Sequence, residues 1–160
     1  MAEMKTLRPF RNEDLDQVWT LHESAMLATG VPLAGPGPWE DDLRAINDVY
    51  VAPGGCFYVV EENHRLVAMG ALRIHGSREA EIKRMRVDPS SQRQGVGQLV
   101  IDALIRHARH AQIHRIFLDA GEQLVAARRF YEKNGFVEYR REIWRGFPMI
   151  FYERKLPDRV

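Results

Sequence analysis

The stretch Gln92-Arg-Gln-Gly-Val-Gly-Gln98 places two glycines and a basic residue between an apolar-alternating segment and an apolar-periodic one. A loop of this kind leads into a helix N-terminus, where backbone N–H groups and the positive end of the helix dipole face an anion. Spacing discriminates among the phosphate-bearing ligands that such a loop serves. A Walker loop needs Gly-x-x-x-x-Gly-Lys-Ser/Thr; here Gln98 follows Gly97 and no Lys-Ser/Thr pair is present, which excludes it. A dinucleotide fingerprint needs Gly-x-Gly-x-x-Gly in a tight turn directly after a strand. Gly95 and Gly97 supply two glycines, Val100 stands at the third position, and the approach from Asp88 to Gln94 is longer than that turn. Asp119 lies about where the ribose-binding acid would stand, so a dinucleotide-dependent oxidoreductase stays open, as does a plain helix start with flexible glycines.

Other reactive side chains carry less. His107, His110 and His114 recur at i, i+3 and i+7, a spacing that would put three metal ligands on one helical face. No carboxylate or cysteine completes a set nearby, so a solvated face is preferred and no metal is expected. Cys56 is the single cysteine, which excludes an intramolecular disulfide and fits a reducing compartment; it reads as a small buried apolar residue. The chain's 160 residues suffice for one domain with one core, expected over 1–160. A net charge of +1 gives no global field for nucleic acid or an anionic membrane surface, so neither partner is expected. The N-terminus shows no signal-peptide core, and no apolar run approaches the about 18 residues of a membrane span, which makes the cytoplasm the expected location.

The elements that must position the loop follow from periodicity. Lys5 to Phe10 predicts a strand, and Asn12 or Asp14 a cap for a helix carrying Leu15, Val18, Trp19, Leu21, His22 and Met26. Gly30 to Pro38 breaks the pattern, and a second short helix is predicted over Trp39 to Val49. Cys56–Glu61, Arg65–Ile74 and Ala80–Val87 predict three strands with turns at Asn63-His64 and Gly76-Ser77, the third with mixed faces. Val96, Leu99, Val100, Ala103 and Leu104 mark a core-facing helix. A strand over Ile116–Leu118, a helix over Leu124–Lys133 stopped by Asn134-Gly135, and strands over Phe136–Trp144 and Met149–Glu153 complete the order β-α-α-β-β-β-α-β-α-β-β. The crossover helix after the loop implies a parallel strand pair there; the hairpins before it imply antiparallel pairing, so the sheet is mixed.

A third reading of the loop, Gln/Arg-x-x-Gly-x-Gly/Ala, fits Gln92-Arg-Gln-Gly95-Val-Gly97 without a mismatch. With Glu81-Ile-Lys-Arg-Met-Arg-Val-Asp-Pro89 before it and an apolar helix after it, the segment resembles the GCN5-related N-acetyltransferase (GNAT) family. Ala127-Arg-Arg-Phe-Tyr131-Glu-Lys-Asn-Gly-Phe136 resembles a second family segment, Ala-x-x-Leu/Phe-Tyr-Glu-Lys-x-Gly-Phe, at the expected distance. The resemblance implies an α/β (α+β) fold: a mixed, mostly antiparallel sheet of six to seven strands, about four helices, and a parallel pair splayed at the acetyl-CoA site. It implies acetyl-CoA as co-substrate and a primary amine of a small molecule or peptide as acceptor, with a homodimer allowed. The coenzyme's pyrophosphate suits N–H donors at Gln94, Gly95, Val96, Gly97 and Gln98, with Gln92 and Arg93 completing the loop and glycine removing the Cβ atoms that would hold phosphates off the backbone. By resemblance, the backbone of Met85, Arg86 and Val87 pairs with the pantetheine arm as an added strand would.

Acetyl transfer to an amine needs a base for the ammonium, a donor to the oxyanion and an acid for the departing thiolate. By resemblance Tyr131 is the acid, the oxyanion donor is the N–H of Met85 or Val87, and Glu81 is the base through water, with Glu79 as the fallback. Glu81 stands four residues before Met85, which on an unbroken strand puts both on one face. His22, Glu23, Trp39, Glu40 and Asp41 would give the acceptor cleft an acidic, aromatic rim. Where many members have an asparagine three residues before Ala127, this chain has Leu124, with Gln123 beside it. The alternative function is a non-catalytic acyl-CoA-binding or sensing module on the same fold.

Overall fold

The computed structural model describes residues 4–31 and 38–158. Its strands are β1 (Lys5–Pro9), β2 (Cys56–Glu62), β3 (Arg65–His75), β4 (Glu79–Val87), β5 (Arg115–Gly121), β6 (Val137–Trp144) and β7 (Phe147–Lys155); its α-helices are α1 (Leu15–Ala28), α2 (Val96–His110) and α3 (Val125–Lys133). The fold is mixed α/β, as the alternation and turn signals predict. One seven-stranded sheet runs β1-β2-β3-β4-β5-β7-β6. Neighbours are antiparallel except β4 and β5, which are parallel. Asn63 and His64 turn β2 into β3 with φ of 52° and 62°, the two left-handed residues that a two-residue hairpin needs.

A layer covers each face of the sheet. Val96, Val100, Leu104 and Ala108 of α2, with Tyr131 of α3 and Phe136 just after it, pack on Ala80, Ile82, Ile116 and Leu118. Val18 and Leu21 of α1, with Leu43, Ile46 and Tyr50, pack on Phe57, Val59, Met69 and Ala71. Each buried aliphatic side chain contributes about 1.5–3 kcal/mol relative to exposure. Cys56 is buried, as expected. Leu99 is 39% exposed, so the core stripe of α2 runs through Ile101 and Ile105 instead. Asp14 does not cap α1 with its side chain; its carboxylate accepts from Arg8 at 2.7 and 2.8 Å and from the Arg11 N–H at 2.7 Å. The helix expected over Trp39–Val49 is a 3-10 helix, Pro38–Arg44, followed by a π-helical turn, Asn47–Val51. Within the break predicted at Gly30–Pro38, residues 32–37 lie outside the described ones.

Two features of β4 shape the site. It pairs with β5 only through Glu79↔Arg115, Ala80↔Ile116 and Glu81↔Phe117, after which the strands diverge. It also bulges: Met69↔Arg86 and Ala71↔Lys83 set two steps of β3 against three of β4, with Arg84 at φ 58°. The bulge switches the alternation. Ala80 and Ile82 point to the α2 face before it, and Met85 and Val87 after it. Glu81 and Met85 therefore lie on opposite faces, contrary to the unbroken-strand expectation.

Gly70 lies opposite the bulge. A Cβ there would stand 2.5 Å from Met85 Sδ and 2.6 Å from Val100 Cγ1. The methionine end can swing away, but the branched Val100 on α2 cannot. Gly70→Ala is expected to cost about 1–3 kcal/mol in urea denaturation.

Candidate active site

The loop between β4 and α2 is built to offer N–H groups. Asp88 caps the short turn Pro89–Ser91, its Oδ1 accepting from the Ser90 N–H at 2.9 Å and the Ser90 hydroxyl at 2.7 Å. Arg93 (φ 63°) and Gly95 (φ 78°) are both left-handed, and alternation of this kind turns successive N–H groups to one side as an anion nest does. Gln92 to Gly95 are exposed. Val96, Gly97 and Gln98 form the first turn of α2, where N–H groups lack helical partners. Glycine serves differently at its two positions. A Cβ on Gly95 would meet nothing within 4 Å, so its φ is the requirement; a Cβ on Gly97 would stand 3.4 Å from Val87 Cγ2, an ordinary contact, so the surrounding protein itself does not demand glycine there. The Gln98 side chain donates to Asn134 Oδ1 at 2.7 Å and ties α2 to the end of α3, leaving its backbone N–H to the loop.

Below the loop, the divergence of β4 and β5 opens a gap whose β4 side is the segment Lys83 to Val87. On the α2 face the Tyr131 ring packs against Phe130 and Phe136 at centroid distances of 5.6 and 6.0 Å. Burial pushes its phenol up to about 12, Arg86 pulls it down, and Asp119 pushes it up, so all three share one electrostatic neighbourhood. Asp119 lies on the α1 face of β5. Solvent reaches it, yet its recessed position, and then the Glu81 carboxylate, hold its carboxyl above the ordinary range against Lys83. The Glu81 carboxylate is hydrogen-bonded to His75 Nε2 at 2.9 Å.

The bulge sends two arginines to the α1 face. Arg84 donates to both Asp42 oxygens, at 2.9 and 2.6 Å, and to the Trp39 carbonyl at 2.5 Å. The Tyr50 hydroxyl donates to Asp42 Oδ2 at 2.5 Å. Burial raises the Asp42 carboxyl, and the bonds from Arg84 and Tyr50 outweigh it and hold it low. The bond to the Trp39 carbonyl ties Arg84 to the 3-10 helix after Pro38. Arg86 donates to the Met85 carbonyl at 2.9 Å and to His22 Nδ1 at 3.3 Å. His22 is thereby fixed with its proton on Nε2, which donates to Glu40 at 2.7 Å. Burial and then Arg86 and Arg84 hold its pKa down against Glu40, so the ring is neutral.

The structure gathers most of the sequence-predicted residues. Met85, Arg86 and Val87 line the gap, Gln92 to Gln98 form its rim, and Tyr131 and Glu81 stand on its two faces. Trp39 stacks edge-on with Trp144 of β6 at 5.4 Å under the Arg145 guanidinium, so the β6–β7 turn leans on the 38–44 segment. Asp41 pairs outward with Arg44 at 3.1 Å. The histidines go to different partners: His107 to the Gly54 carbonyl at 2.9 Å and His114 to Asp158 at 2.9 Å. Sequence reasoning missed Asp42, the side-chain roles of Arg84 and Arg86, and Asp119 as a member of this cleft. No helix among the described residues is long and apolar enough to cross a membrane.

A model of the acetyltransferase (GNAT) family matches residues 16–136. An uncharacterized N-acetyltransferase, YedL of Escherichia coli K12, is 32% identical over 54% of this chain and 55% of its own length. A mycothiol acetyltransferase of Propionibacterium freudenreichii is 29% identical over 85% of this chain and 44% of its own length. The chain thus spans about half the length of these curated relatives. A GNAT-family acetyltransferase structure from Staphylococcus aureus Mu50 superposes with a TM-score of 0.87 at 21% identity, covering 96% of this chain and 100% of that one. The PaiA N-acetyltransferase of Thermoplasma acidophilum, solved in complex with coenzyme A, superposes at 0.76 with 18% identity over 96% and 99% of the chains.

Proposed function

The chain belongs to the GNAT acetyltransferase family, and we propose that it is an acetyl-CoA-dependent N-acetyltransferase acting on a primary amine by direct attack in a ternary complex. The observation that carries this reading is the divergence of β4 and β5 immediately past Glu81 and Phe117. It leaves a strand edge for an amide-bearing arm to pair with, and it ends at an anion nest suited to a pyrophosphate.

Acetyl-CoA supplies the activated acyl group when bound. The backbone of Met85, Arg86 and Val87 holds the arm, and the N–H groups of residues 94–98 hold the phosphates, with Arg93 as a mobile charge and Gln92 setting the turn. The N–H of Met85 or Val87 donates to the carbonyl oxygen as it becomes an oxyanion. Glu81, directly or through water, takes the proton from the amine; Asp119 beside it shares its field, and a carboxyl held high is a better proton acceptor than an ordinary one. Tyr131 donates toward the departing sulfur.

Calorimetry and thiol release test this together. Acetyl-CoA is expected to bind and NAD not to, and free thiol is expected to appear only when a primary amine is supplied. Tight binding with no turnover on any amine would favour a sensing module; NAD binding would overturn the reading.

A further inference from the structure

Arg86 carries a charge that the protein does not neutralise locally. Its hydrogen bonds go to the Met85 carbonyl and to His22 Nδ1, and neither is a carboxylate. His22 is neutral and passes the contact to Glu40, one residue further away. The nearby Asp42 is already bonded twice by Arg84 and once by Tyr50. Among the described residues no carboxylate forms an ion pair with Arg86. Burial, and then Arg84, pull the guanidinium down to about 10, which leaves it charged at neutral pH. A charge in such a place is costly unless it is paired. Its neighbour Arg84 shows the ordinary solution, a bidentate carboxylate.

The surroundings indicate what completes Arg86. It stands between Met85 and Val87 on the segment that borders the gap, and its contact with His22 shows that it faces the α1 side, away from the strand edge proposed for pantetheine. On that same side stand Glu81, where β4 is still paired, and Asp119 on β5 across the gap, both suited to an ammonium. A cation and two carboxylates on one face of the sheet, flanking the same gap, match a molecule bearing an amine and a carboxylate.

We propose that Arg86 recognises a carboxylate of the acceptor, held in place by His22 and Glu40, and that the acceptor is therefore a free amino acid rather than a simple amine or a peptide N-terminus. This rests on the acetyl-transfer reading of the site.

The test compares kcat/KM for thiol release with the common L-amino acids, their carboxamides, the amines lacking the carboxyl group, and the matching aminoalkylphosphonates. The best amino acid is expected to exceed its carboxamide by about 100-fold or more, because a buried donor left unpaired rejects the analogue. In R86Q the ratio is expected to fall below about threefold, chiefly through acceptor KM, while R86K, which keeps the charge, retains most of the preference. Carboxamides or simple amines used as well as the acids, or a phosphonate preferred to the carboxylate, would overturn the proposal with acetyl transfer intact. Absence of thiol release with every amine is instead the failure of the acetyl-transfer reading. Calorimetry of each amino acid against the wild-type protein then decides for Arg86 alone: heat lost in R86Q and kept in R86K supports the anion site, and no heat overturns it.

Discussion

Replacing Tyr131 with phenylalanine is expected to lower kcat for amine acetylation by about 100-fold, with KM for acetyl-CoA changed by less than about threefold. Only the hydroxyl is lost, and the packing of the ring on Phe130 and Phe136 survives. The magnitude follows from acidity. A phenol held near 12 is about 3.5 pH units weaker as an acid than an ordinary thiol. Full transfer to the thiolate is uphill, so the hydroxyl acts chiefly by hydrogen bonding to developing charge. A hydrogen bond to a charged group is worth about 1.5–3 kcal/mol, and the upper end corresponds to about 100-fold. Burial also keeps Tyr131 protonated across the usual assay range. The acidic limb of the pH–rate profile should therefore persist in Tyr131→Phe, because the carboxylates and the amine set it. Steady-state kinetics across pH checks both statements. An unchanged kcat would remove Tyr131 from the chemistry.

Asp42→Ala is expected to destabilise the fold by about 3–5 kcal/mol at neutral pH. Arg84 and Asp42 have side chains 10% and 11% exposed, and the carboxylate serves two guanidinium bonds and the Tyr50 hydroxyl. Truncation leaves a buried charge and a buried phenol without their acceptor. The sign with pH follows from the lowered Asp42 pKa. The stabilisation is present above the ordinary carboxylate range and is lost as pH falls through the folded-state value. Wild type and variant should therefore converge in acid. Urea denaturation at neutral and acidic pH measures this. A loss below about 1 kcal/mol would mean that Arg84 finds another partner.

The order of strands and helices was legible because each element has its own period and its turns have Asn-His, Gly-Ser or Asn-Gly chemistry. The loop and the Tyr131 segment were legible because their residue types are constrained by backbone conformation and contact rather than by distant packing. The bulge left a trace that an alternating reading passes over. Apolar residues of β4 sit at even positions, Ala80 and Ile82, and then at odd ones, Met85 and Val87. A change of parity inside one strand signals an extra residue. The irregular helix after Pro38 was not legible, because apolar spacing alone does not separate an α-helix from the 3-10 and π turns found there, and its contacts to Arg84 come from another part of the chain. The Arg86 side chain was overlooked for a similar reason. Its partner, His22, lies on α1 and comes next to it only once both layers are packed.

Everything proposed for the site requires that the gap between β4 and β5 holds acetyl-CoA. Amide hydrogen exchange with and without coenzyme A tests this most directly. Slowed exchange is expected at Met85 to Val87 and at Gln94 to Gln98, with NAD giving none. Protection confined to other segments, or the same protection from NAD, would contradict it.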